Sequence, residues 1–249
     1  MTFTALASSS HGNAYIVEDG RTSVLLECGV PYRKLQSLFR RAGRKITNLS
    51  ACLITHEHKD HSRCYENLLD AGIPVWSSDG TAEALTCNQI NVFELPKGGN
   101  IGKAERFGTL EVLPFRTLHD ARRPVGFLIR STVDGEKLAF ATDTANLRYR
   151  FPGVNLLAVE ANYADDILAM CSHIPDKVVR RIRNSHMEIG TLCGWLSTLD
   201  LSQCRQIYLL HMSDSTSNEE RFLRQVSAVT DGIAVTSCPK ELEKERLSC

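Results

Sequence analysis

The chain has 249 residues, 43% of them hydrophobic, and its 29 basic and 29 acidic side chains leave no net charge. This balance excludes a nucleic-acid-binding protein with a uniformly basic surface, although it allows a local basic patch. The length and hydrophobic content suit one substantial core, so we expect residues 1–249 to form a single domain.

Short apolar runs near the start of the chain predict a pair of antiparallel strands. Residues 14–17 and Ser23–Leu26 are separated by a segment that contains Asp-Gly, a common hairpin turn. Pro31 then begins a predicted helix whose apolar residues recur on one face. The basic residues of this helix are more typical of a solvated face than of a nucleic-acid patch.

The next segment combines a buried strand, a polar turn and a helix. Residues 51–54 form a short apolar run typical of a buried strand, and residues 62–71 have the apolar spacing of a helix. Between them, residues 55–61 have the sequence Thr-His-Glu-His-Lys-Asp-His, which holds three of the eight histidines of the chain. This density of donors is typical of a metal site rather than of a solvated loop.

The spacing within this turn predicts how its donors are divided. Alternate side chains of an extended segment share one face, so His56 and His58 can bind one ion together. Asp60 and His61, where the chain turns into the helix, can face a second ion. The sequence therefore predicts two adjacent metal ions.

The rest of the chain contains short strands with helices before and after them. We predict strands at residues 73–76, 92–95, 110–115, 126–133, 137–142, 206–210 and 233–236, and helices at residues 79–85, within 164–199 and at 218–229. No repeat and no low-complexity linker divides the chain. This order of elements is typical of a layered α/β protein.

Three more candidate ligands each follow a predicted strand, the position where open α/β sheets place their chemistry. His119 would complete the first site, and His211 would complete the second. Asp143 could bridge the two ions, because a carboxylate offers two oxygens whereas an imidazole offers a single free nitrogen. The predicted ligands are His56, His58, Asp60, His61, His119, Asp143 and His211.

Cysteine usage and hydropathy predict the compartment. The nine cysteines have neither a Cys-x-x-Cys pair nor the spacing of a secreted disulfide framework, which is typical of a reducing compartment. The start of the chain lacks a basic segment followed by a long apolar one, and no run approaches the roughly 18 apolar residues of a membrane span. We expect a cytoplasmic protein that does not contact a membrane.

The turn motif matches the His-x-His-x-Asp-His signature of the metallo-β-lactamase fold. Nearly the whole chain resembles the YycJ/WalJ-type branch of that superfamily, which is related to ribonuclease Z and ribonuclease J. Further matching stretches are residues 10–15, 118–127, 141–144, 159–163 and 210–213. The resemblance implies an α/β fold built as a four-layer αββα sandwich.

The resemblance also implies a metal-dependent phosphodiesterase, in particular a nuclease that acts on DNA ends or on RNA. Two divalent ions would lower the pKa of a shared water, bind a phosphoryl oxygen and stabilise the charge that develops in an in-line displacement. Zinc is the default for histidine and carboxylate ligands, and manganese is compatible with the same donors. Nucleic acid is the expected substrate, and the oligomeric state stays open, a homodimer included.

Three residues receive catalytic roles through the resemblance. His186 lies where phosphodiesterases of the superfamily carry a histidine that contacts the scissile phosphate and protonates the leaving oxygen. Glu160 resembles the acidic residue that orients this histidine, and Asp60 is expected to serve catalysis as well as metal binding. The motif is incomplete here, because the glycine before His186 and the Ser-Asn after it are missing.

Other polar residues are less well defined by the sequence. Glu27 stands where the family usually has Asp, so the side chain that the resemblance assigns to organising the metal loop is one methylene longer here. His11 and His173 match no motif and are expected to be structural or peripheral to the substrate. The arginines within residues 180–183 could hold a phosphate backbone.

Two other classes of function stay open. One is a small-molecule hydrolase with the same metal site, such as a cyclic phosphodiesterase of the phosphoribosyl type or a thioester or lactone hydrolase, which would not need His186 and Glu160. The other is a non-catalytic binding protein, which is disfavoured because all seven ligand positions are filled.

Overall fold

The computed structural model describes residues 1–242, which form two β-sheets and eight α-helices. The first sheet contains, side by side in chain order, β1 (Thr2–Ala7), β2 (Ala14–Glu18), β3 (Ser23–Leu26), β4 (Ala51–Leu53), β5 (Val75–Ser77) and β6 (Asn91–Val92). The second contains β7 (Glu105–Phe107), β8 (Leu110–Arg116), β9 (Val125–Ser131), β10 (Lys137–Ala141), β11 (Leu156–Glu160), β12 (Gln206–Leu210) and β13 (Ala234–Ser237), also in chain order.

Both sheets change from antiparallel to parallel pairing part-way across. The first is antiparallel from β1 to β3 and parallel from β3 to β6. The second is antiparallel from β7 to β10 and parallel from β10 to β13. Parallel strands are covered on both faces, and every residue of β11 is accordingly buried.

The helices are α1 (Tyr32–Arg41), α2 (Lys59–Ser62), α3 (Tyr65–Asp70), α4 (Asp79–Ala84), α5 (Asp165–Met170), α6 (Asp176–Ser185), α7 (Ile189–Leu196) and α8 (Glu219–Val229). Parallel strands cannot be joined by a tight hairpin, and several of these helices lie in the crossovers that the parallel halves require. Leu35 and Leu38 of α1 pack on the outer face of the first sheet. Leu192 of α7 and Phe222 of α8 pack on the outer face of the second.

The inner faces of the two sheets share one aromatic core. Phe140 of the second sheet lies between two rings of the first, with centroids 5.3 Å from Tyr15 and 6.3 Å from Phe3. Phe127 packs at 5.6 Å from Phe93, which follows β6. The layers are therefore helix, sheet, sheet and helix, which confirms the predicted α/β fold and its αββα arrangement.

The structure corrects the predicted helix over residues 62–71. It is divided into α2 and α3 at Cys64, whose N–H donates to the carbonyl of Cys28 instead of to the preceding helical turn. The carbonyl of Asp60, the helical acceptor for Cys64, is taken by the N–H of Asn13. Both interruptions come from contacts with distant residues, which the local pattern does not contain.

Other element boundaries also differ from the sequence prediction. The strand predicted at residues 92–95 is wrong beyond Val92: Phe93 still donates its N–H to Ser77, and then the chain leaves the sheet. The helical region 164–199 is three helices, with Pro175 immediately before the second. Strands β1 and β7 were not predicted.

The remaining predictions about the whole chain have different outcomes. No helix within residues 1–242 is long and apolar enough to cross a membrane. The eight cysteines of that range are free thiols, whereas Cys249 lies outside the described residues. The cytoplasmic location and the single domain over residues 1–249 stay predictions.

Candidate metal centre

The seven candidate ligands come from four chain segments that meet beside the carboxyl ends of β4, β8, β10 and β12. The turn after β4 supplies His56 and His58, and α2 supplies Asp60 and His61. In the second sheet, β8, β10 and β12 are each followed by one ligand. The structure divides these residues into a first group, His56, His58 and His119, and a second group, Asp60, His61, Asp143 and His211. Within each group, one donor atom per residue lies within 4.8 Å of all the others.

The first group consists of three imidazole nitrogens that face one another. Nδ1 of His58 lies 3.1 Å from Nε2 of His56 and 3.1 Å from Nε2 of His119. Nδ1 of His119 donates to the carbonyl of Ser185 at 2.8 Å, so its Nε2 carries the free lone pair. Nδ1 of His56 lies 2.9 Å from the hydroxyl of Thr55. Outer hydrogen bonds of this kind are what orient metal-binding histidines, and the group fits one divalent cation.

The second group mixes carboxylate oxygens with imidazole nitrogens. Nε2 of His61 lies 3.3 Å from Oδ2 of Asp60 and 3.4 Å from Oδ1 of Asp143. Nδ1 of His211 lies 2.9 Å from Oδ1 of Asp143, and its Nε2 lies 3.6 Å from Oδ2 of Asp60. Nε2 of His211 is buried and has no hydrogen-bond partner among the described residues, which leaves a donor atom for a cation.

Asp143 lies between the two groups and presents one oxygen to each. Its Oδ1 faces His61 and His211, while its Oδ2 lies 3.6 Å from Nε2 of His119 and 3.9 Å from Nε2 of His56. The hydroxyl of Thr142 donates to Oδ1 at 2.8 Å and limits rotation of the carboxylate. An oxygen on each side is what a residue that bridges two ions requires, and this is the role that the sequence predicted for Asp143.

Burial and the charges of neighbouring residues shift the pKa values of these groups in opposite directions. Burial, and next the charge of His61, lowers the pKa of His56 well below its ordinary value. Burial also acts to lower the pKa values of His61 and His211, but the charge of Asp143 and hydrogen bonds to the neighbouring carboxylates together outweigh it and raise both. Conversely, these two imidazoles hold the pKa of Asp143 well below its usual range against the effect of burial. Divalent cations would replace these protons, so metal binding should release protons.

The backbone is left-handed at three of the strand ends that face the centre. The φ angles are +63° at Glu27, +45° at Asp143 and +51° at His211. Such values are uncommon outside glycine, cost about 1–3 kcal/mol each and persist where the surroundings determine them. Each occurs where a strand stops and a side chain must turn towards the centre.

Two buried residues from the first sheet hold the metal loop in place. Glu27 accepts the N–H of Thr55 at 3.3 Å and brings Oε2 to 3.6 Å from Nδ1 of His61, so the longer side chain at this position still reaches the loop. Burial raises the pKa of Glu27 despite the nearby His61. Asn13 donates its N–H and its side-chain amide to the carbonyl of Asp60, at 2.8 and 3.2 Å. Asn13 lies in one of the stretches that resemble the family, residues 10–15, but no role was predicted for it.

His186 and Glu160 form a hydrogen-bonded pair that adjoins the second group, because Oε1 of Glu160 also lies 3.3 Å from Nδ1 of His211. Nδ1 of His186 lies 2.7 Å from Oε1 of Glu160 and 4.0 Å from Oδ2 of Asp143. Glu160 is fully buried, and its other oxygen accepts the N–H groups of Thr144 and Met187. Burial opposes protonation of His186, but the charge and hydrogen bond of Glu160, together with the charge of Asp143, outweigh it and raise the pKa of this histidine. The pair therefore holds His186 in a fixed orientation with a proton available.

The geometry agrees with the relationships of the sequence. A family model described as the beta-lactamase superfamily domain matches residues 22–212, a range that contains every candidate ligand as well as Glu160 and His186. The chain belongs to this family.

Two curated relatives match most of the chain. Exodeoxyribonuclease YycJ of Bacillus anthracis is 28% identical over 246 residues, which is 92% of this chain and 89% of the relative. Exodeoxyribonuclease WalJ of Streptococcus pneumoniae is 28% identical over 235 residues, 88% of this chain and 84% of the relative.

Solved structures confirm the metallo-β-lactamase fold. The metallo-beta-lactamase fold protein YhfI of Bacillus subtilis superposes with a TM-score of 0.68 at 15% identity, over 96% of this chain and 97% of its own. The short form of human tRNase Z gives a TM-score of 0.66 at 16% identity, over 97% of this chain and 98% of its own.

Three more polar residues lie outside the two groups. His11 and His173 are exposed and belong to neither. Asp120 follows His119 directly but was not among the predicted site residues. Its Oδ1 lies 3.2 Å from Nε2 of that histidine. Its other oxygen pairs with Arg181 at 2.6 Å, so one arginine of the 180–183 run is held by an acidic partner.

Gly29 offers a test of how tightly the metal loop is packed. A Cβ at this position would lie 1.6 Å from the carbonyl oxygen of Asp60, so Gly29→Ala must displace the loop. We expect this variant to have a lower melting temperature and to bind zinc at least tenfold more weakly. Both are measured by thermal unfolding with and without the metal, since weaker binding gives a smaller rise in melting temperature.

The matched control is Gly194→Ala on α7, where an added Cβ meets nothing within 4 Å. Because alanine favours a helix over glycine by about 1 kcal/mol, this variant should be at least as stable as the wild type and respond normally to zinc. A Gly29→Ala protein that unfolds and responds to zinc like the control would contradict the packing described here.

Proposed function

We propose that the protein is a dinuclear metal-dependent phosphodiesterase that acts as an exonuclease on DNA. The observation that carries the proposal is the pair of donor groups joined by Asp143, with the His186–Glu160 pair next to them. The names of the curated relatives, both exodeoxyribonucleases, support DNA as the substrate.

The two groups would each hold one divalent ion. One ion would lie among His56, His58 and His119, the other among Asp60, His61 and His211, with one Asp143 oxygen directed at each. When bound, two such ions lower the pKa of a water and stabilise the charge that develops on a transferring phosphoryl group. Zinc suits the imidazole-rich donors best, and manganese is compatible with the carboxylates.

Residues of the chain supply the proton transfers. The side chain of Asp60 is 25% exposed, while the carboxylates of Asp143 and Glu160 are almost fully buried, so Asp60 is the carboxylate that an attacking water can reach. His186, with Nδ1 fixed by Glu160, can donate the proton of Nε2 to the leaving oxygen of the sugar. This donation matters because a sugar alkoxide is a poor leaving group at neutral pH.

The proposed function is tested by the substrates that purified, metal-loaded protein cleaves. The panel is 5′-labelled duplex DNA, single-stranded DNA, RNA and bis-p-nitrophenyl phosphate. We expect DNA to be shortened progressively from an end. Turnover of bis-p-nitrophenyl phosphate without cleavage of any nucleic acid would reject the exonuclease and favour a small-molecule hydrolase.

Metal content provides a second test. Elemental analysis of protein incubated with zinc or manganese and then desalted should find two ions per chain. Asp60→Ala should bind fewer ions and lose at least about a hundredfold in kcat, with an unchanged circular dichroism spectrum because its side chain is not part of the core. A metal content of zero after incubation would end the proposal.

His186→Ala tests the assignment of the general acid. Proton donation contributes about 10²–10⁴-fold in rate, and an activated phenolate leaves without it. The ratio of DNA cleavage to bis-p-nitrophenyl phosphate turnover should therefore fall by a factor in that range, whereas the exposed control His173→Ala should keep the wild-type ratio.

Glu160→Gln should lower the same ratio less. Because it removes the charge that raises the pKa of His186, it should also move the alkaline limb of the pH–rate profile to lower pH. An unchanged ratio in His186→Ala, or the loss of one metal ion, would show that the role of His186 is wrong.

A further inference from the structure

A cavity of about 350 Å³ lies beside the metal centre and contains none of its candidate ligands. We call it the arginine pocket and define it by Arg116, Leu118, Arg148 and Tyr149. Asn100, from the loop before β7, lines it together with two segments: the end of β8 with the residues after it, and the loop that follows β10. The metal centre takes one ligand from each of these same two segments, His119 and Asp143.

The chain limits how far this pocket can be from the centre. Arg116 is three residues before His119, and an extended chain spans at most about 3.6 Å per residue, so their Cα atoms lie within about 11 Å. The hydroxyl of Thr144 accepts the N–H of Leu118 at 3.0 Å, and the N–H of Ala145 donates to the carbonyl of Leu118 at 2.8 Å. These bonds fix the two walls together. At about 3.4 Å per nucleotide, a DNA strand covers this distance in about three nucleotides.

The two arginines of the pocket differ from neighbouring arginines in their charge partners. Within residues 1–242 neither forms an ion pair, although other arginines near the centre do, namely Arg123 with Asp79, Arg181 with Asp120 and Arg183 with Asp165. Arg116 is half-buried, and burial together with the like charge of Arg123 lowers the pKa of its guanidinium. A half-buried cation of this kind favours an anionic ligand.

The apolar wall of the pocket indicates which anion fits. The ring of Tyr149 packs on Phe115 with centroids 4.9 Å apart, and its hydroxyl donates to the carbonyl of Asn100 at 3.1 Å. Leu118 is 46% exposed and adds an aliphatic side chain to the same wall. A fixed aromatic ring and an exposed aliphatic side chain suit a sugar or base, and guanidinium groups bind phosphate with paired hydrogen bonds.

We propose that the arginine pocket binds a phosphate group of the substrate strand other than the one that is cleaved, and so positions the strand at the metal centre. This inference rests on the proposed nuclease function and adds a second binding site to it. The phosphate is either the terminal 5′-phosphate of the strand or an internal phosphodiester, which share the chemistry that the two arginines recognise.

The test compares Arg148→Ala and Arg116→Met with the control Arg150→Ala. Arg150 is exposed, carries the same charge, forms no ion pair within the described residues and does not line the cavity. Each protein is assayed on the same oligonucleotide with a 5′-phosphate and with a 5′-hydroxyl, and on bis-p-nitrophenyl phosphate, which has no second phosphate.

We expect each pocket variant to lower the ratio of oligonucleotide to bis-p-nitrophenyl phosphate kcat/KM by about tenfold or more, mainly through KM, as for the loss of a hydrogen bond to a charged group. The control should change the ratio less than about twofold. A loss confined to the 5′-phosphorylated strand assigns the pocket to the terminal phosphate, and an equal loss on both strands assigns it to an internal phosphodiester.

Two results would overturn the inference, and they are distinguishable. If the wild type degrades oligonucleotides and the pocket variants behave like Arg150→Ala, the pocket has no role and the nuclease function stands. If the wild type cleaves bis-p-nitrophenyl phosphate but no oligonucleotide, the proposed function fails and the pocket assignment fails with it.

Discussion

The rest of the centre depends on the contacts between the carboxylate of Asp143 and the imidazoles on either side of it. A fully buried carboxylate is unfavourable unless charged or hydrogen-bonding partners surround it. Here the partners are two sets of imidazoles, with His211 at 2.9 Å on one side and His119 at 3.6 Å on the other. Whatever holds this carboxylate in place also sets the distance between the two donor groups.

The fold positions Asp143 through the ends of buried strands. β10, which leads to it, pairs with β9 and β11 and lies beneath the shared aromatic core. The chain then bends sharply, and the left-handed backbone at Asp143 and His211 turns both side chains towards the metal loop. Strain of about 1–3 kcal/mol at each position is sustained because the strands before them are rigidly packed. The same residues would be free to relax in an exposed loop.

The sequence divided the candidate ligands into the two groups that the structure brings together, because much of their arrangement is local. Alternation within an extended segment separates His56 and His58 from Asp60 and His61, and the other three ligands follow apolar runs that are recognisable as strands. The supporting contacts could not be predicted in this way. Asn13 holds the carbonyl of Asp60 across 47 residues of sequence, and no periodic pattern records such a pair.

The same limit explains the errors in the secondary structure. Cys64 divides a helix whose spacing is continuous in the sequence, because its N–H bonds to Cys28 on a different strand end. The arginine pocket could not be predicted from the sequence for the same reason. Arg116 and Arg148 lie far apart in the chain, and hydrogen bonds between their two segments bring them into one cavity. Local spacing predicted which candidate donors lie together, whereas the packing and the charged surroundings of the site required the fold.

The bridging role of Asp143 can be observed directly. Crystals grown with zinc or manganese, measured above and below the absorption edge of the metal, would locate each ion by its anomalous scattering. The account predicts two peaks, one among His56, His58 and His119 and one among Asp60, His61 and His211, with an oxygen of Asp143 directed at each. A single peak, or an Asp143 carboxylate that contacts one ion with both oxygens, would contradict it.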